Sequence, residues 1–386
     1  MLSFIYLFGY KLFLSFLGII GLGFLIAFHE MGHFLFCKLF GIYTPSFSIG
    51  FGPILISRKI GHTLFKISAI PLGGYVEIAG SNEVGQGDQE HAYAKDTSSF
   101  ASKPYWQKLC VMLGGILFNL FFAYAMFITI FWLGAPKTNL LYPTIAKPVV
   151  AEVLAGSLAE QYGIQKGDKL ISINDTTQLT DSINPLIAYL DQIKPATMQP
   201  GITHTTDYLR LELEHNGERY TVDFKPEVQE MRGRIIAAHG IVFEMHDRRP
   251  LPFGQAFWLG IFEVNRWIKN TFKDFLYLFK KKDVGEMAGP LMIIAMSSKW
   301  AGEGFMLFLL FLAIISINLA VLNLIPIPIL DGGQILFHTI EAIIRRPIPE
   351  RIRYYIHMVC WIAFLALFIY LSWYDIVRIV RSLVGK

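Results

Sequence analysis

The stretch FLSFLGIIGLGFLIAFHEMGHFLF occupies residues 13–36 and combines two properties that seldom occur together. It is long enough to cross a bilayer, which takes about 20 consecutive apolar residues. It also carries His29, Glu30 and His33 near its end, although ionisable side chains are costly in hydrocarbon and usually have a function there. We therefore predict a transmembrane helix within residues 1–40 that holds a functional site.

The spacing of the three polar residues predicts a metal site. His29 and His33 are four residues apart, so both rings lie on one face of the helix and can bind one ion. Glu30 lies beside that ion, where it can take a proton from bound water without being a ligand. We predict Zn²⁺ as the cofactor, with one position left open for water. The alternative is that these are interfacial residues that hydrogen-bond to the first loop.

The third ligand is predicted in the sequence NLIPIPILDGG, residues 323–333. Pro326 and Pro328 interrupt a helix there, and Asp331 stands where the next helix begins. The first and third apolar stretches run in the same direction, so Asp331 and the two histidines are expected at a similar depth near the cytoplasmic face. The alternative is that Asp331 only caps its own helix.

Three asparagines stand in apolar sequence. Asn323 precedes Asp331 by one or two turns and is predicted to donate a hydrogen bond to the oxyanion of the reaction. Asn119 and Asn318 have two open interpretations, which are hydrogen bonding between helices and contact with substrate.

The composition extends the membrane prediction to the whole chain. Of 386 residues, 53% are hydrophobic and 17% are charged, whereas about a quarter are charged in soluble domains. Residues 109–135, 303–345 and 354–375 predict three more transmembrane helices, so the lipid bilayer is an expected partner. The net charge is only +4 and no basic stripe is interleaved with aromatic residues, so we expect no nucleic acid partner.

The connections between these helices differ in kind. Residues 41–108 contain short apolar β-like runs, which predict a hairpin that dips into the membrane, with a small soluble sheet as the alternative. Within them, residues 81–102 are predicted to be mobile. Residues 147–228 predict a soluble insert that includes a hairpin at Asn216-Gly217, and residues 229–302 predict an amphipathic segment on the membrane surface.

Basic residues in short loops set the orientation. The link between the third and fourth helices carries four arginines in nine residues, from Arg345 to Arg353, and is predicted to be cytoplasmic. The first loop then lies on the same side, and the soluble insert lies on the opposite side.

In this order along the chain, the motifs resemble the site-2 protease family, and most closely its bacterial regulator-of-sigma-E-protease branch. The resemblance rests on the HExxH motif, residues 47–53 and 71–76, the Asn119 helix and residues 323–333. It implies a membrane α-helical fold with four transmembrane helices, a membrane-dipping β-hairpin and one inserted PDZ domain, marked by Gly163-Ile164 and residues 166–170. One departure is Gly114-Gly115, where a Gly-Pro step is common.

The resemblance also implies site residues and partners. It makes His29, His33 and Asp331 zinc ligands, Glu30 the catalytic base and Asn323 a substrate contact, and it implies that Gly73, Gly74 and Tyr75 belong to a strand that receives the substrate. The implied substrates are single-span membrane proteins, such as anti-sigma factors, or leftover signal peptides, cut in a bacterial inner membrane with the PDZ domain on the extracytoplasmic side.

Two other functions stay open from the sequence. The first is a membrane-anchored zinc peptidase that cuts segments outside the membrane. The second is a catalytically silent membrane scaffold that carries a PDZ domain.

Overall fold

The computed structural model describes residues 2–81, 96–142, 144–175, 177–179, 182–190, 203–204, 208–224, 227–231, 234–238, 240–245, 248–281 and 288–384. The chain forms two compact units. The first, here called the helical unit, comprises Met1–Thr129, Trp258–Phe272 and Asp283–Lys386. The second, here called the inserted unit, comprises Ile130–Phe257 and Lys273–Lys282.

Helices dominate the helical unit, and most strands lie in the inserted unit. The helices are α1 (Leu2–Leu39), α2 (Tyr105–Leu133), α3 (Leu158–Gln161), α4 (Asn184–Leu190), α5 (Phe253–Lys281), α6 (Pro290–Glu303), α7 (Phe305–Asn323), α8 (Asp331–Ile344) and α9 (Glu350–Val384). The strands are β1 (Ser46–Ile60), β2 (Thr63–Val76), β3 (Ala146–Val153), β4 (Lys169–Ile173), β5 (Thr177–Gln178), β6 (Thr203–His204), β7 (Leu209–His215), β8 (Glu218–Phe224), β9 (Glu227–Met231), β10 (Arg234–Ala238) and β11 (Ile241–Met245).

Long apolar helices occur in all four segments that were predicted to be transmembrane. Among the described residues, four helices are long and apolar enough to cross a membrane. They cover Gly9–Leu39, Tyr105–Leu133, Phe305–Asn323 and Glu350–Arg381. The third predicted stretch is divided, because α7 ends at Asn323 and a new helix, α8, begins at Asp331. The prolines between them explain the break, since proline cannot donate a backbone hydrogen bond.

The first loop contains a long hairpin. β1 and β2 pair antiparallel around a two-residue turn, with Ile60 opposite Thr63. Residues 46–48 of β1 are buried, whereas residues 51–60 are exposed. Most of the segment predicted to be mobile, residues 82–95, lies outside the described residues, but Phe100–Ser102 forms a short 3₁₀ helix with Phe100 buried.

Two glycines let α1 and α2 approach each other closely. A Cβ atom on Gly32 would overlap the carbonyl of Gly114, and a Cβ atom on Gly114 would lie 2.7 Å from the carbonyl oxygen of Gly32. Small residues commonly allow such backbone approach between helices in membranes. The contact fixes α2 against the part of α1 that carries the two histidines.

The inserted unit is built on an antiparallel sheet. Its strand order is β11-β3-β4-β7-β8, with β5 beside β4. The predicted hairpin at Asn216-Gly217 joins β7 and β8, and both residues have the positive φ that this turn requires. Apolar residues of the strands and of α3 and α4 form one core, which includes Leu170, Leu211 and Phe243.

The boundary predicted for the insert at residue 228 is wrong. β11 pairs with β3, so the sheet extends to Met245, well into the range 229–302 that was predicted as an amphipathic surface segment. β9 and β10 also lie in that range. These strands are short and join their sheets through pairing with other strands, which the local sequence does not show.

The later part of that range is helical, as α5, and its middle is packed on other helices. The Tyr124 hydroxyl of α2 donates to Asn265 Oδ1 at 2.7 Å, and the Thr271 hydroxyl donates to Asn318 Oδ1 of α7 at 2.9 Å. A Cβ atom on Gly260 would lie 2.6 Å from the side chain of Ile128. The middle of α5 therefore contacts two of the apolar helices.

Candidate metal centre

The two histidines of α1 lie together, as their spacing predicted. His29 Nε2 and His33 Nε2 are 3.1 Å apart, and both residues are buried, with 8% and 6% of their surface exposed. The helix continues through them to Leu39, so both rings project from adjacent turns of one rigid element. The pair is thus placed inside the helical unit, away from bulk solvent.

Asp331 meets both rings. Its Oδ2 lies 3.2 Å from His29 Nε2, and its Oδ1 lies 3.5 Å from His33 Nε2. Asp331 is the first residue of α8, yet no side-chain hydrogen bond caps that helix. The alternative that Asp331 only caps its own helix is therefore wrong, because the carboxylate is turned towards the histidines.

The turn between α7 and α8 places this carboxylate. The N–H of Leu330 donates to the carbonyl of Ile327 at 2.9 Å, which closes the turn just before Asp331. Gly332 and Gly333 then pass so close to carbonyl groups of the turn that a Cβ atom at either position would overlap them. The Asp-Gly-Gly sequence is therefore required by the tight path of the backbone.

The three side chains fit a zinc ion. One ligand atom from each of His29, His33 and Asp331 lies within 4.8 Å of the others. Asp331 Oδ2 is buried and has no hydrogen-bond partner among the described residues. A buried carboxylate oxygen whose nearest polar neighbours are imidazole nitrogens is stabilised by a cation, and two histidines with one carboxylate are a common ligand set for catalytic zinc.

α2 supports both rings from behind. His33 Nδ1 is 2.8 Å from the carbonyl oxygen of Val111, and His29 Nδ1 is 3.1 Å from Asn119 Nδ2. A Cβ atom on Gly115 would lie 2.5 Å from His33 Nε2, so only glycine leaves the space beside the nitrogens open. Neither the contact of Val111 nor the role of Gly115 was predicted from the sequence. Every residue has a main-chain carbonyl, so the sequence does not indicate which one accepts a hydrogen bond. The pair of glycines in an apolar helix, in contrast, was a recognisable signal.

Glu30 lies beside the cluster and outside its ligand set. The N–H of Val76, at the end of β2, donates to its carboxylate. Gly74 allows this approach, because a Cβ atom there would lie 2.8 Å from the carbonyl oxygen of Ser48 and 3.5 Å from Glu30 Cγ. The hairpin thus orients the carboxylate that was predicted to act as the base.

A cavity of about 280 Å³ opens onto these groups. Its lining residues come from α1, α2, β2, the segment after β2, α7 and the turn before α8. They are Ile26, His29, Glu30, His33, Val76, Ile78, Met112, Asn119, Leu319, Asn323, Ile329, Leu330 and Asp331. The cavity is therefore lined both by the carboxylates, rings and amides of the polar residues and by apolar side chains.

The residues of the predicted substrate strand take different positions. Gly74 lies against Glu30, whereas Gly73 and Tyr75 contact Phe51 of the same hairpin. Gly73 has φ of +149°, and a Cβ atom there would overlap the Phe51 ring. The Tyr75 ring stacks on Phe51 with centroids 6.3 Å apart. In the described residues, only Gly74 of the three is placed next to the cluster.

The three asparagines separate in the structure. Asn323 Nδ2 lies 3.4 Å from His29 Nε2 and lines the cavity. Asn119 is fully buried behind His29. Asn318 accepts the hydrogen bond from Thr271, which favours its role in helix packing.

His62 and His338 are not part of the cluster. His338 pairs with Glu341 at 3.1 Å on α8, and His62 lies exposed in the hairpin turn. His91 lies outside the described residues. Among the described residues, the group of histidines and carboxylates that could hold a metal ion is His29, His33 and Asp331.

Similarity to known proteins agrees with this site. The sequence pattern of Peptidase family M50 matches residues 17–367. Relatives named as zinc metalloproteases are similar over most of their length. Cj1068 of Campylobacter jejuni is 29% identical over 371 residues, which cover 93% of this chain and 92% of the relative. The protein mll0638 of Mesorhizobium japonicum is 32% identical over 342 residues, covering 84% and 87%. Zinc metalloprotease RasP of Geobacillus kaustophilus is 26% identical over 431 aligned positions, covering 93% and 96%.

The family pattern extends from the first apolar helix to the last, and so includes all three residues that could hold the metal. The chain therefore belongs to peptidase family M50 and is a zinc metalloprotease of a membrane.

Proposed function

We propose that this protein hydrolyses peptide bonds within the transmembrane segments of single-span substrates. The observation that carries the proposal is the position of the cluster. Two histidines, Glu30 and Asp331 meet at a cavity that is lined in part by three helices apolar enough to cross a membrane, α1, α2 and α7. A site that attacks bonds inside the bilayer has to bring water and charge to that depth, where isolated charges are unfavourable.

In the proposed mechanism, His29, His33 and Asp331 hold the zinc ion. When bound, zinc supplies a Lewis acid that polarises the scissile carbonyl and makes a bound water more acidic. Glu30 takes a proton from the attacking water at its carboxylate and returns it to the nitrogen of the leaving amine. The hydrogen bond from Val76 holds the Glu30 carboxylate in place for both transfers.

Two further contacts are proposed for the substrate. Asn323 lines the cavity with its amide and donates a hydrogen bond to the carbonyl oxygen as that oxygen gains charge. The strand that includes Gly73, Gly74 and Tyr75 receives the substrate as an added, extended strand. The closeness of Gly74 to Glu30 supports this, because a strand paired there would present its peptide bonds to the base.

We propose that the inserted unit is a PDZ domain that restricts the size of substrates. The antiparallel sheet with two short helices and the Gly163-Ile164 turn support this proposal. The arginine-rich link between α8 and α9 supports an orientation with that link in the cytoplasm, the active site near the cytoplasmic face and the PDZ domain outside a bacterial inner membrane. Suitable substrates would be anti-sigma factors trimmed on the outside, or remnant signal peptides.

One reconstitution experiment tests this function. The full-length protein is placed in liposomes with a single-span peptide, and the same target sequence is supplied separately in a soluble peptide. The test variant is Glu30→Gln, and the matched control is Glu303→Gln, which changes an exposed carboxylate that pairs with Lys299 at 3.7 Å. Mass spectrometry of the products locates the cleaved bond.

We expect cleavage inside the membrane segment, its loss with a chelator, and a decrease of about 100-fold or more in Glu30→Gln with zinc content unchanged. The Glu303→Gln variant should cleave at the normal rate. Undiminished cleavage in Glu30→Gln would exclude the proposed base. Cleavage of the soluble peptide alone would instead support a membrane-anchored peptidase that cuts outside the bilayer.

A further inference from the structure

The environment of His29 Nδ1 assigns a role to a residue outside the proposed ligand set. We infer that Asn119 is a positioning residue, whose side-chain oxygen accepts a hydrogen bond from Nδ1–H of His29 and so holds Nε2 ready for the metal. The inference rests on the proposed role of His29 as a zinc ligand.

The position of the proton on the imidazole ring depends on which nitrogen binds the metal. A neutral imidazole carries one proton, and a ring that binds zinc through Nε2 must carry it on Nδ1. His29 Nε2 is the atom that faces Asp331, at 3.2 Å, and His33, at 3.1 Å. Nδ1 of His29 therefore has to be a donor in the zinc-bound protein, and the group opposite has to be an acceptor.

The group opposite is the amide of Asn119. Its Nδ2 lies 3.1 Å from His29 Nδ1, while its Oδ1 is buried and has no hydrogen-bond partner among the described residues. In this arrangement the amide donates to Nδ1, which places the ring proton on Nε2 and is incompatible with a metal there. A half-turn of the amide about its Cβ–Cγ bond exchanges the two atoms and gives Nδ1–H its acceptor.

The backbone around Asn119 is held in place. The hydroxyl of Ser316, on α7, donates to the Asn119 carbonyl at 2.8 Å, and Asn119 itself is fully buried. The other histidine shows the same pattern, since His33 Nδ1 lies 2.8 Å from the Val111 carbonyl eight residues earlier on α2. The groups that face Nδ1 of both rings therefore come from one helix, a main-chain carbonyl for His33 and the Asn119 amide for His29.

A set of variants separates this role from simple packing. Asn119→Leu has a similar size but no acceptor, whereas Asn119→Asp keeps an oxygen acceptor. Ser316→Ala is the matched control, because it removes a hydrogen bond to the same residue of α2 without touching a ring. Zinc affinity of the full-length protein in detergent is measured by competition with a chromogenic chelator, together with the melting temperature.

We expect the Asn119→Leu variant to bind zinc about 10- to 100-fold more weakly, which is typical of losing such an outer partner. Asn119→Asp and Ser316→Ala should stay within a few-fold of the wild-type affinity. If Asn119→Leu does not fold, Asn119→Ala takes its place with the same expectation. Wild-type affinity in the variant without an acceptor, or equal weakening in Asn119→Asp, would overturn the inference.

The measurement needs no substrate. Failure of the inference would leave cleavage by the wild-type protein intact, and failure of the proposed function would appear only in the reconstitution experiment. The two results can therefore be told apart.

Discussion

Two clusters of the helical unit each combine a carboxylate with histidine, and they differ in how many hydrogen bonds the carboxylate oxygen atoms accept. In the first, Asp331 faces His29 and His33, and its Oδ2 has no hydrogen-bond partner among the described residues. In the second, Glu341 faces His338 and Arg353. Both combine a carboxylate with histidine on α8 or close to it.

The Glu341 carboxylate is fully supplied with donors. It accepts from His338 Nδ1 at 3.1 Å, from the Ile348 N–H at 3.1 Å and from Arg353 Nη2 at 2.7 Å. A carboxylate with this many donors is stabilised as it stands and ties α8 to the following turn and α9. The Asp331 carboxylate meets ring nitrogens that converge on one point. A metal site is therefore distinguished from a structural ion pair by acceptors that converge without enough donors, rather than by residue type.

The largest expected effect separates the two clusters by zinc content. Asp331→Ala should weaken zinc binding by more than about 100-fold, since loss of an outer-shell partner alone costs 10- to 100-fold. Glu341→Ala should leave zinc affinity unchanged, because its carboxylate is occupied by its own donors. Metal analysis of the purified proteins after dialysis against a weak chelator measures both. Equal loss of zinc in the two variants would show that the Asp331 carboxylate is not a metal ligand.

A smaller effect is expected when a methyl group fills the space beside the ring nitrogens. In Gly115→Ala the new Cβ atom would lie 2.5 Å from His29 Cε1 and His33 Nε2, so we expect zinc affinity to fall by about 10-fold or more while helix content is kept. Gly9→Ala on α1 is the control, because no heavy atom lies within 4 Å of a Cβ atom there. Chelator competition and circular dichroism measure the two properties. Full zinc affinity in Gly115→Ala would show that the ion does not occupy this space.

The sequence predicted the parts of this site whose signals are local. The four-residue spacing placed His29 and His33 on one face of α1, and the prolines before Asp331 predicted a broken helix with a carboxylate at its restart. The first and third apolar stretches were predicted to run in the same direction, and this was enough to predict that the carboxylate and the rings lie at a similar depth. The hairpin at Asn216-Gly217 was also predictable, because the turn type demands those residues.

The parts that the sequence did not predict depend on partners that are distant in the chain. The support of His33 by Val111 comes from a main-chain carbonyl, which any residue possesses. β11 belongs to the sheet only through its pairing with β3, about 90 residues earlier. Asn119 was recognised as unusual, but its position behind His29 follows from the close contact of Gly32 with Gly114, which no single helix pattern contains.

The Glu341 cluster should appear in stability rather than in zinc binding. Burial raises the pKa of Glu341, but the hydrogen bonds from His338 and Ile348 and the charge of Arg353 outweigh it and lower the pKa from 4.5 to about 2. The carboxylate therefore stabilises the fold above about pH 4.5, and this contribution is lost as the pH falls towards 2. Glu341→Gln should lower the free energy of unfolding by about 1–3 kcal/mol at neutral pH, because it removes hydrogen bonds to a charged group.

Thermal unfolding in detergent at several pH values checks this prediction. The difference in melting temperature between wild type and Glu341→Gln should be constant above about pH 5 and should decrease as the pH falls from 4.5 towards 2. A difference that does not change with pH would mean that packing of the longer side chain, and not its charge, holds α8 and α9 together.

The smallest effect is expected in the inserted unit, where the carboxylate of Asp168, like that of Glu341, accepts several hydrogen bonds. Asp168 is completely buried and accepts from His215 Nδ1, from the Tyr220 hydroxyl and from the Gln165 N–H at 2.7 Å. Tyr220→Phe removes one of these donors and leaves the other two, so we expect a loss of about 1 kcal/mol in the stability of this unit and no change in zinc affinity. Hydrogen exchange of β4, β7 and β8 in the full-length protein measures it, and Asp168→Asn, which weakens all the bonds at once, should have the larger effect. If Tyr220→Phe lowered zinc affinity as well, the Asp168 cluster and the metal site would be energetically coupled. The two could then not be treated as separate clusters.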